Sequence, residues 1–283
     1  LHNEESSVKE LYRRICSALE PRGETWELIL VDDGSDDATP VLVDELCAAD
    51  PRVVGVHLRR NYGQTPALMA GFDHAQGEVV VSMDGDLQHD PAEIPNFLDK
   101  IDEGFDVVSG WRVARSDEFL TRKLPSRIAN WLMARVSGLS LHDFGTTFKA
   151  YRREALAGLH LYGDLHRFVP ALIAWNGAQI AEIPIRDMGR DHGQSHYGLS
   201  RTFRVLLDLL TVGFLLRYLT RPLHLFGKIS VLFLTVAGLI GSFLLLRKFA
   251  FGVNLFGEHG PLTLLAAVLF IAGIQLLATG LLG

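Results

Sequence analysis

The chain has 283 residues, of which 48% are hydrophobic and 21% charged, a composition that argues against disorder and suits one large domain with an appendage. Its net charge of −6 argues against a nucleic-acid partner, because proteins that bind nucleic acids usually neutralise phosphates with a basic surface. Its two cysteines, Cys16 and Cys47, have no Cys or His neighbours at zinc-ligand spacing.

From residue 1 to about 200, short β-branched apolar runs alternate with amphipathic stretches, which predicts an α/β sheet with helices on its faces. The predicted strands are Trp26–Val31, Val53–Leu58, Val79–Met83, Phe105–Ser109 and Gln179–Ile185. The predicted helices are Glu5–Leu19, Ala38–Ala49, Thr65–Ala75, Pro91–Glu103, Leu124–Ser137 and Leu165–Asn176. We expect Asp90 to cap the helix that starts with Pro91.

Two long runs without charged residues follow, Ile229–Leu246 and Pro261–Gly283. A helix of about 20 residues crosses a hydrocarbon core of about 30 Å, so these runs predict two transmembrane helices within residues 225–283. The alternative, two buried helices of a soluble domain, would need a core large enough to surround both.

Basic residues are denser before the first run than between the two runs, where Arg247, Lys248 and Glu258 lie. By the positive-inside rule this places the α/β domain in the cytoplasm. Residues 201–224 mix arginines with apolar residues, which is typical of a helix in the membrane interface. An ordinary amphipathic core helix has the same pattern. The basic residues before the first run are Arg201, Arg204, Arg217, Arg221 and Lys228.

The first predicted strand ends in acidic residues, Asp32 and Asp33, followed by Gly34. Ligands of open α/β sheets bind at the carboxyl ends of the strands, where these carboxylates can accept hydrogen bonds from a base and a ribose. Asp32 and Asp33 are therefore predicted nucleotide ligands. We interpret Asp36 and Asp37, which come next, as caps of the following helix.

The third predicted strand repeats the pattern with Asp84, Gly85 and Asp86. Glycine permits a sharp turn, so that both carboxylates can converge on one hard cation such as Mg²⁺ or Mn²⁺. Such an ion would neutralise the charge that develops on a diphosphate leaving group. An Asp-x-Asp tripeptide alone is weak evidence, but a second acidic strand end strengthens it.

These motifs, in this order, resemble family 2 glycosyltransferases of the GT-A fold, and in particular the polyprenyl-phosphate branch that includes dolichyl-phosphate mannose synthases and bactoprenol glucosyltransferases. The branch is indicated by Ser109-Gly110-Trp111-Arg112, by Asp143–Arg153, and by Glu182-Ile183-Pro184 followed by Arg190 and Gly193–Gly198. The segments shared with the wider family are His2–Glu5, Val31–Ser35, Arg60–Gln64 with Ala70–Phe72, and Asp84–Gln88 with Asp90-Pro91.

The resemblance implies a Rossmann-like GT-A catalytic domain over residues 1–200, whose first strand would precede Leu1, followed by the juxtamembrane segment and two transmembrane helices. It implies inverting transfer of a hexose from a UDP-glucose or GDP-mannose type donor to a polyprenyl phosphate. The site would lie at the cytoplasmic face of a bacterial inner membrane, and a homo-oligomer is left open.

The resemblance also implies roles for single residues. Asp84 and Asp86 would hold Mg²⁺ or Mn²⁺, and Asp86, Gln88 and Asp143 would be catalytic. We expect Asp143 to position the acceptor rather than to bind the metal, and a further alternative is a turn aspartate beside Gly145. The nucleotide ligands would be Asn3, Glu4, Asp32, Asp33 and Asp84, and the phosphate ligands Arg112, Arg190 and His196.

Two positions depart from the family pattern, since His196 replaces a usual lysine and Lys149 a usual arginine. A histidine is cationic only when its pKa or the pH permits, and a lysine offers a phosphate a point charge in place of a planar fork. A processive polysaccharide synthase is one alternative function, but the sequence has no Gln-x-x-Arg-Trp motif. A non-catalytic membrane scaffold is another, although a scaffold has no need of converging carboxylates.

Overall fold

A computed structural model of the chain describes residues 1–113, 134–135, 138–139, 141–159, 161, 163, 165–175, 177–186, 222–252 and 254–282. The chain divides into two compact units, Leu1–Val212 and Gly213–Gly283. Strands are found in the first unit, and the described part of the second consists of two long helices.

Helices and strands alternate through the first unit, as the apolar periodicity predicts. The strands are β1 Leu28–Asp32, β2 Val53–His57, β3 Val79–Ser82, β4 Val107–Arg112, β5 Lys149–Arg152 and β6 Ile180–Ile185. The α-helices are α1 Val8–Leu19, α2 Thr39–Ala49, α3 Gln64–His74, α4 Ile94–Asp102, α5 Arg153–Leu156 and α6 Val169–Trp175. Short 3-10 turns occupy Glu20–Arg22, Pro91–Glu93 and Leu165–Phe168.

The five predicted strands are confirmed, with ends shifted by at most three residues. The predicted cap is confirmed too, because the Asp90 carboxylate accepts a hydrogen bond from the Ala92 N–H at 3.1 Å. The helix predicted from Pro91 opens with a 3-10 turn and becomes α-helical only at Ile94. Apart from residues 134–135, the predicted helix Leu124–Ser137 lies outside the described residues.

Strand β5 is missing from the sequence prediction, because its four residues, Lys149–Arg152, contain no apolar run. It nevertheless lies inside a four-stranded sheet with the order β3-β5-β4-β6 and runs antiparallel to β3 and β4. Strands β1 and β2 form a separate parallel pair. The sheet is therefore mixed, and β5 brings the loop before it to the carboxyl end of β3.

An apolar layer covers one face of the four-stranded sheet. Ile94, Phe97 and Ile101 recur at helical spacing on α4 and are buried. Phe97 packs on Phe148, with ring centroids 4.4 Å apart. Leu11 and Ile15 of α1 belong to the same cluster. This packing fixes the strands that carry the acidic and basic side chains described below.

One row of paired residues carries polar side chains across the sheet. Lys149 of β5 pairs with Ser82 of β3 and with Ser109 of β4, and Ser109 pairs with Glu182 of β6. Paired residues of adjacent strands point to the same face, so these four side chains share one face. Ser82, Lys149 and Ser109 are buried there.

The second unit contains α7, Pro222–Phe251, and α8, Leu255–Leu282, which pack against each other. The Ser230 hydroxyl donates to the Gly273 carbonyl at 2.7 Å, and a Cβ at Gly273 would come within 2.8 Å of Leu234. Small residues at such contacts let two apolar helices approach closely. The helix α8 is kinked at His259, two residues before Pro261.

Both helices are long and apolar enough to cross a membrane. Large apolar side chains are exposed along them, including Leu239 and Phe249. The two predicted charge-free runs lie within these helices, except for Gly283, which is outside the described residues. Most of the predicted juxtamembrane segment, 201–224, also lies outside the described residues.

Candidate active site

The end of β1 forms the first part of the site, and both of its aspartates are buried. Asp32 accepts hydrogen bonds from the backbone N–H and hydroxyl of Ser35 and lies 3.3 Å from the His57 ring, because Asp32 and His57 are paired across β1 and β2. Asp33 accepts the N–H groups of Tyr62 and Gly63, each at 2.8 Å. A carboxylate has about four acceptor positions, so these contacts do not exclude a nucleotide.

The predicted nucleotide ligands Asn3 and Glu4 lie against the turn that follows β1. The Asn3 N–H donates to the Ser35 hydroxyl at 2.9 Å, and its side-chain oxygen accepts the Asp36 N–H at 2.9 Å. The Glu4 N–H donates to the Thr39 hydroxyl at 2.8 Å. These two residues therefore brace the turn between β1 and α2, beside Asp32 and Asp33.

The Asp84-Gly85-Asp86 turn follows β3. The Asp84 carboxylate accepts a hydrogen bond from the Gln64 amide at 2.6 Å, and Asp86 accepts the Gln88 N–H at 3.1 Å. Gly85 cannot be replaced without a shift, because a Cβ there would come within 2.1 Å of the Leu1 side chain. The turn thus holds Asp84, Asp86 and the backbone of Gln88 within one compact loop.

One short loop links the two acidic strand ends. Asp33 holds the N–H groups of Tyr62 and Gly63, and the next residue, Gln64, donates its side-chain amide to Asp84. Gly63 has a φ of 94°, a left-handed conformation that favours glycine. Sequence reasoning identified this loop only as part of the Arg60–Gln64 motif and assigned Gln64 no role.

The carboxylates of the Asp84-Gly85-Asp86 turn suit a metal ion that binds together with a diphosphate. Among the described residues, no group of three or more His, Cys, Asp or Glu side chains could hold a metal ion. Mg²⁺, however, is usually bound by one or two carboxylates together with substrate phosphates and water. Asp84 and Asp86 fit that pattern, so they could hold the ion once a diphosphate supplies the other ligands.

The predicted phosphate ligand Arg112 and the predicted catalytic Asp143 form a two-point ion pair. Arg112 Nε and Nη2 donate to Asp143 at 2.7 and 3.1 Å, and their side chains are only 13% and 6% exposed. Asp143 also accepts the Gly145 N–H at 3.0 Å. A guanidinium has five N–H donors, so pairing with one carboxylate does not exclude contact with an anionic ligand.

The backbone next to Asp143 is attached to β6 by Glu182. That carboxylate accepts the N–H groups of His142 and Asp143 at 2.8 and 3.0 Å, and it lies 2.7 Å from the His142 ring. The His142 ring also stacks on Trp111, with ring centroids 4.3 Å apart. The sequence motifs Ser109–Arg112 and Glu182–Pro184 contain Trp111 and Glu182, but they assign no role to these two residues or to His142.

Lys149 is 1% exposed on the inward face of β5, and its ammonium group donates to the Thr146 carbonyl. Burial lowers its pKa to about 8, although the nearby Asp143 and Asp84 carboxylates oppose that shift. The neighbouring guanidinium groups of Arg112 and Arg167 add to it. Lys149 therefore brings a buried positive charge close to both the Asp84 turn and the Asp143 ion pair.

This burial predicts a pH-dependent stability. Between pH 8 and the ordinary lysine pKa of 10.5, the unfolded chain binds more protons than the folded one, so the free energy of unfolding rises with pH across that window. The rise is up to about 3 kcal/mol. Lys149→Met should melt at a higher temperature than wild type at pH 7.5, and the difference should shrink by pH 10.

The measurement is thermal unfolding of the detergent-solubilised chain at several pH values. Lys9→Met is the matched control, because the Lys9 side chain is 61% exposed and its removal should change little at any pH. A difference between wild type and Lys149→Met that stays constant from pH 7.5 to 10 would contradict the lowered pKa.

Of the predicted phosphate ligands, Arg190 and His196 lie outside the described residues.

Residues 1–159 match the family model described as Glycosyl transferase family 2. The whole chain is 41% identical to a Dodecaprenyl-phosphate galacturonate synthase of Rhizobium johnstonii, and the alignment covers 84% of that protein. The chain belongs to glycosyl transferase family 2. Membership confirms the predicted family and the predicted enzyme class, a glycosyltransferase.

Other relatives support the polyprenyl-phosphate branch of family 2. Undecaprenyl-phosphate 4-deoxy-4-formamido-L-arabinose transferases of Shewanella sediminis and Pseudomonas aeruginosa are 35% and 36% identical to this chain. Each alignment covers 100% of this chain, and 84% and 82% of the respective relative. The similarity therefore extends through the two apolar helices.

Solved structures confirm the predicted GT-A fold of this family 2 chain. Glucosyl-3-phosphoglycerate synthase of Mycobacterium tuberculosis, in complex with phosphoglyceric acid, superposes with a TM-score of 0.56 at 22% identity, over 75% of this chain and 77% of that one. The same enzyme with Mn²⁺, UDP-glucose and phosphoglyceric acid gives a TM-score of 0.54 at 20% identity, over the same shares of both chains. At this identity the likeness concerns the fold alone.

Proposed function

We propose that this family 2 chain transfers a sugar from a nucleoside diphosphate to the phosphate of a polyprenyl lipid, with inversion at the anomeric carbon. The observation that carries the proposal is the loop Tyr62-Gly63-Gln64, which ties Asp33 of one acidic strand end to Asp84 of the other. Two converging acidic ends suit a ligand with a nucleoside at one end and a diphosphate at the other.

The donor would lie along this edge. Asp32 and Asp33, with Asn3 and Glu4 behind them, would receive the nucleoside, and Asp84 and Asp86 would hold Mg²⁺ or Mn²⁺ at the diphosphate. When bound, the ion neutralises charge on the leaving diphosphate. Gln88, whose N–H donates to Asp86, would keep that carboxylate turned toward the diphosphate.

The acceptor would approach from the side of Arg112 and Asp143. A phosphate monoester has a second pKa near 6, so its oxygen is already anionic at neutral pH and needs no strong base. The Arg112 guanidinium and the Lys149 charge attract that anion, and Asp143 orients Arg112 through the two-point ion pair. The acceptor oxygen would attack the anomeric carbon as the bond to the diphosphate breaks. Arg190 and His196 remain predicted phosphate ligands.

The membrane arrangement follows from the acceptor. A polyprenyl chain stays in the bilayer, so an enzyme held at the membrane surface meets its phosphate in two dimensions. We propose that α7 and α8 are two transmembrane helices, and that residues 1–200 lie on the cytoplasmic side of a bacterial inner membrane. The exposed apolar side chains of α7 and α8 support the spans, and the excess of basic residues before α7 supports the orientation.

The transferred sugar is the finer part of the proposal. A UDP-glucose or GDP-mannose type donor follows from the family resemblance. Galacturonate heads the candidates, because the relative named for it is 41% identical, against 35% and 36% for the two named for formamido-arabinose. A sugar carboxylate would also find positive charge near Arg112 and Lys149.

The test is transfer of labelled sugar into the organic phase by the detergent-solubilised chain, with polyprenyl phosphate and Mg²⁺ or Mn²⁺. The donor panel contains nucleoside diphosphates of galacturonate, 4-deoxy-4-formamido-arabinose, glucose and mannose. Label should follow one of these donors and require the lipid phosphate. Extension of a soluble glycan without lipid labelling would favour a polysaccharide synthase. Nucleotide binding without any transfer would favour a non-catalytic scaffold.

A further inference from the structure

The position of the Asp143 carboxylate depends on the loop that carries it. It lies in the loop between Leu141 and Phe148, which precedes β5 and contains no helix or strand. Leu141 and Phe144 anchor the loop by burial, while the carboxylate itself is held by Arg112 and by the Gly145 N–H. The backbone N–H of Asp143 donates to Glu182, which lies on strand β6.

Glu182 receives three donors from two consecutive residues. Its Oε1 accepts the His142 and Asp143 N–H groups at 2.8 and 3.0 Å, and its Oε2 lies 3.0 Å from the His142 nitrogen and 2.7 Å from the ring. The Glu182 side chain is 12% exposed, in contrast to 64% for His142. Glu182, on strand β6, is therefore the fixed partner, and it holds the loop that contains His142.

The sheet register explains why Glu182 reaches this loop. Glu182 pairs with Ser109, and Trp111 lies two residues further along β4, so Glu182 and Trp111 point to the same face. The His142 ring stacks on Trp111, and its Nδ1 lies 2.7 Å from the Glu182 carboxylate. His142, which precedes Asp143, is thus held by one residue of β4 and one of β6. Arg112, the last residue of β4, donates to the Asp143 carboxylate.

We propose that Glu182 is a positioning residue for sugar transfer, which holds the backbone of His142 and Asp143 so that Asp143 and Arg112 meet the acceptor phosphate correctly. This inference rests on the proposed function of the Asp143 site. Both carboxylate oxygens accept the backbone N–H of His142, and one of them also accepts that of Asp143. In Glu182→Gln the amide nitrogen would face a donor, and the loop would shift.

The expected result is a loss of kcat/KM for the lipid phosphate of roughly 10- to 100-fold in Glu182→Gln, since displacement of a reacting group by about 1 Å can cost 100-fold. The KM for the nucleotide-sugar should change by less than about threefold, because Asp33 and Asp84 are attached to the separate Tyr62–Gln64 loop. A rise in the KM for the nucleotide-sugar as large as the loss of kcat/KM for the lipid phosphate would overturn the proposal.

A double-mutant cycle separates positioning from general destabilisation. In an Asp143→Asn background, Glu182→Gln should cost less than about threefold, because the group through which it acts has already lost its charge. Equal losses in both backgrounds, or an Asp143→Asn variant as active as wild type, would overturn the proposal.

Asp106→Asn is the matched control. Asp106 lies just before β4 and its carboxylate also accepts a backbone N–H at the edge of β6, that of Gln179 at 2.8 Å, but at the opposite end of the strand pair. The sugar-transfer activity of Asp106→Asn should stay within about twofold of wild type. If Glu182→Gln does not fold, Glu182→Asp keeps the charge and retracts both oxygens, and it should show the same selective loss for the lipid phosphate.

Hydrogen exchange provides a readout that does not need sugar transfer. The amides of His142 and Asp143 should exchange faster in Glu182→Gln than in wild type, while those of Tyr62 and Gly63 should not change. Unchanged exchange at both pairs would overturn the inference on its own. If wild type transfers no sugar but this exchange pattern holds, the proposed function fails while the attachment of the loop by Glu182 stands.

Discussion

Asp86→Asn should reduce sugar transfer by at least about 1,000-fold, the largest effect expected for a single substitution in this chain. Loss of a metal-binding carboxylate removes several kcal/mol of stabilisation from the developing diphosphate charge, and about 4 kcal/mol corresponds to three factors of ten. The fold should survive, because the asparagine oxygen can still accept the Gln88 N–H that Asp86 now holds at 3.1 Å.

The matched control is Asp90→Asn, four residues later in the same loop. Among the described residues, the Asp90 carboxylate accepts the Ala92 N–H and so caps the 3-10 turn; asparagine caps as well as aspartate, so transfer should remain close to wild type. Both variants are assayed across a titration of Mn²⁺ and Mg²⁺, with EDTA as the zero point. Full transfer by Asp86→Asn, or by wild type in EDTA, would show that the metal role assigned to Asp84 and Asp86 is wrong.

Arg112→Met should cost about 3–5 kcal/mol of folding free energy, because the buried Asp143 carboxylate loses both charged hydrogen bonds that Arg112 donates to it. Transfer should also fall by at least about 100-fold, since both the guanidinium and the position of Asp143 are lost. Thermal unfolding in detergent measures the first effect, and the lipid-phosphate assay measures the second.

Arg13→Met is the control for the ion pair. Arg13 contacts Glu10 with the same two-point geometry, at 2.8 and 2.7 Å, but its side chain is 67% exposed on α1, so its removal should leave the melting temperature close to that of wild type. The double variant Arg112→Met/Asp143→Leu should regain much of the stability and none of the activity, because the buried carboxylate is removed together with the guanidinium. Recovered transfer in that variant would contradict a catalytic role for the pair.

Local sequence was sufficient for most of the architecture. Apolar β-branched runs predict the five strands, since each strand needs only a short buried stretch bounded by polar residues. The charge-free runs predict the two long C-terminal helices for a similar reason, because a membrane-length helix depends on composition over about 20 residues. Strand β5 was missed, because Lys149–Arg152 takes its extended form from its neighbours β3 and β4 rather than from its own residues.

The sequence by itself determined the family, the acidic strand ends and the residues of the Asp84-Gly85-Asp86 turn, because these are contiguous motifs whose chemistry is set by residue type. Only the tertiary structure decided the partners of those residues. It joined Gln64 to Asp84 and Arg112 to Asp143, and it placed Glu182 behind the Asp143 loop. Such contacts join residues up to 40 positions apart, and their geometry follows from strand order and register, which no local pattern records.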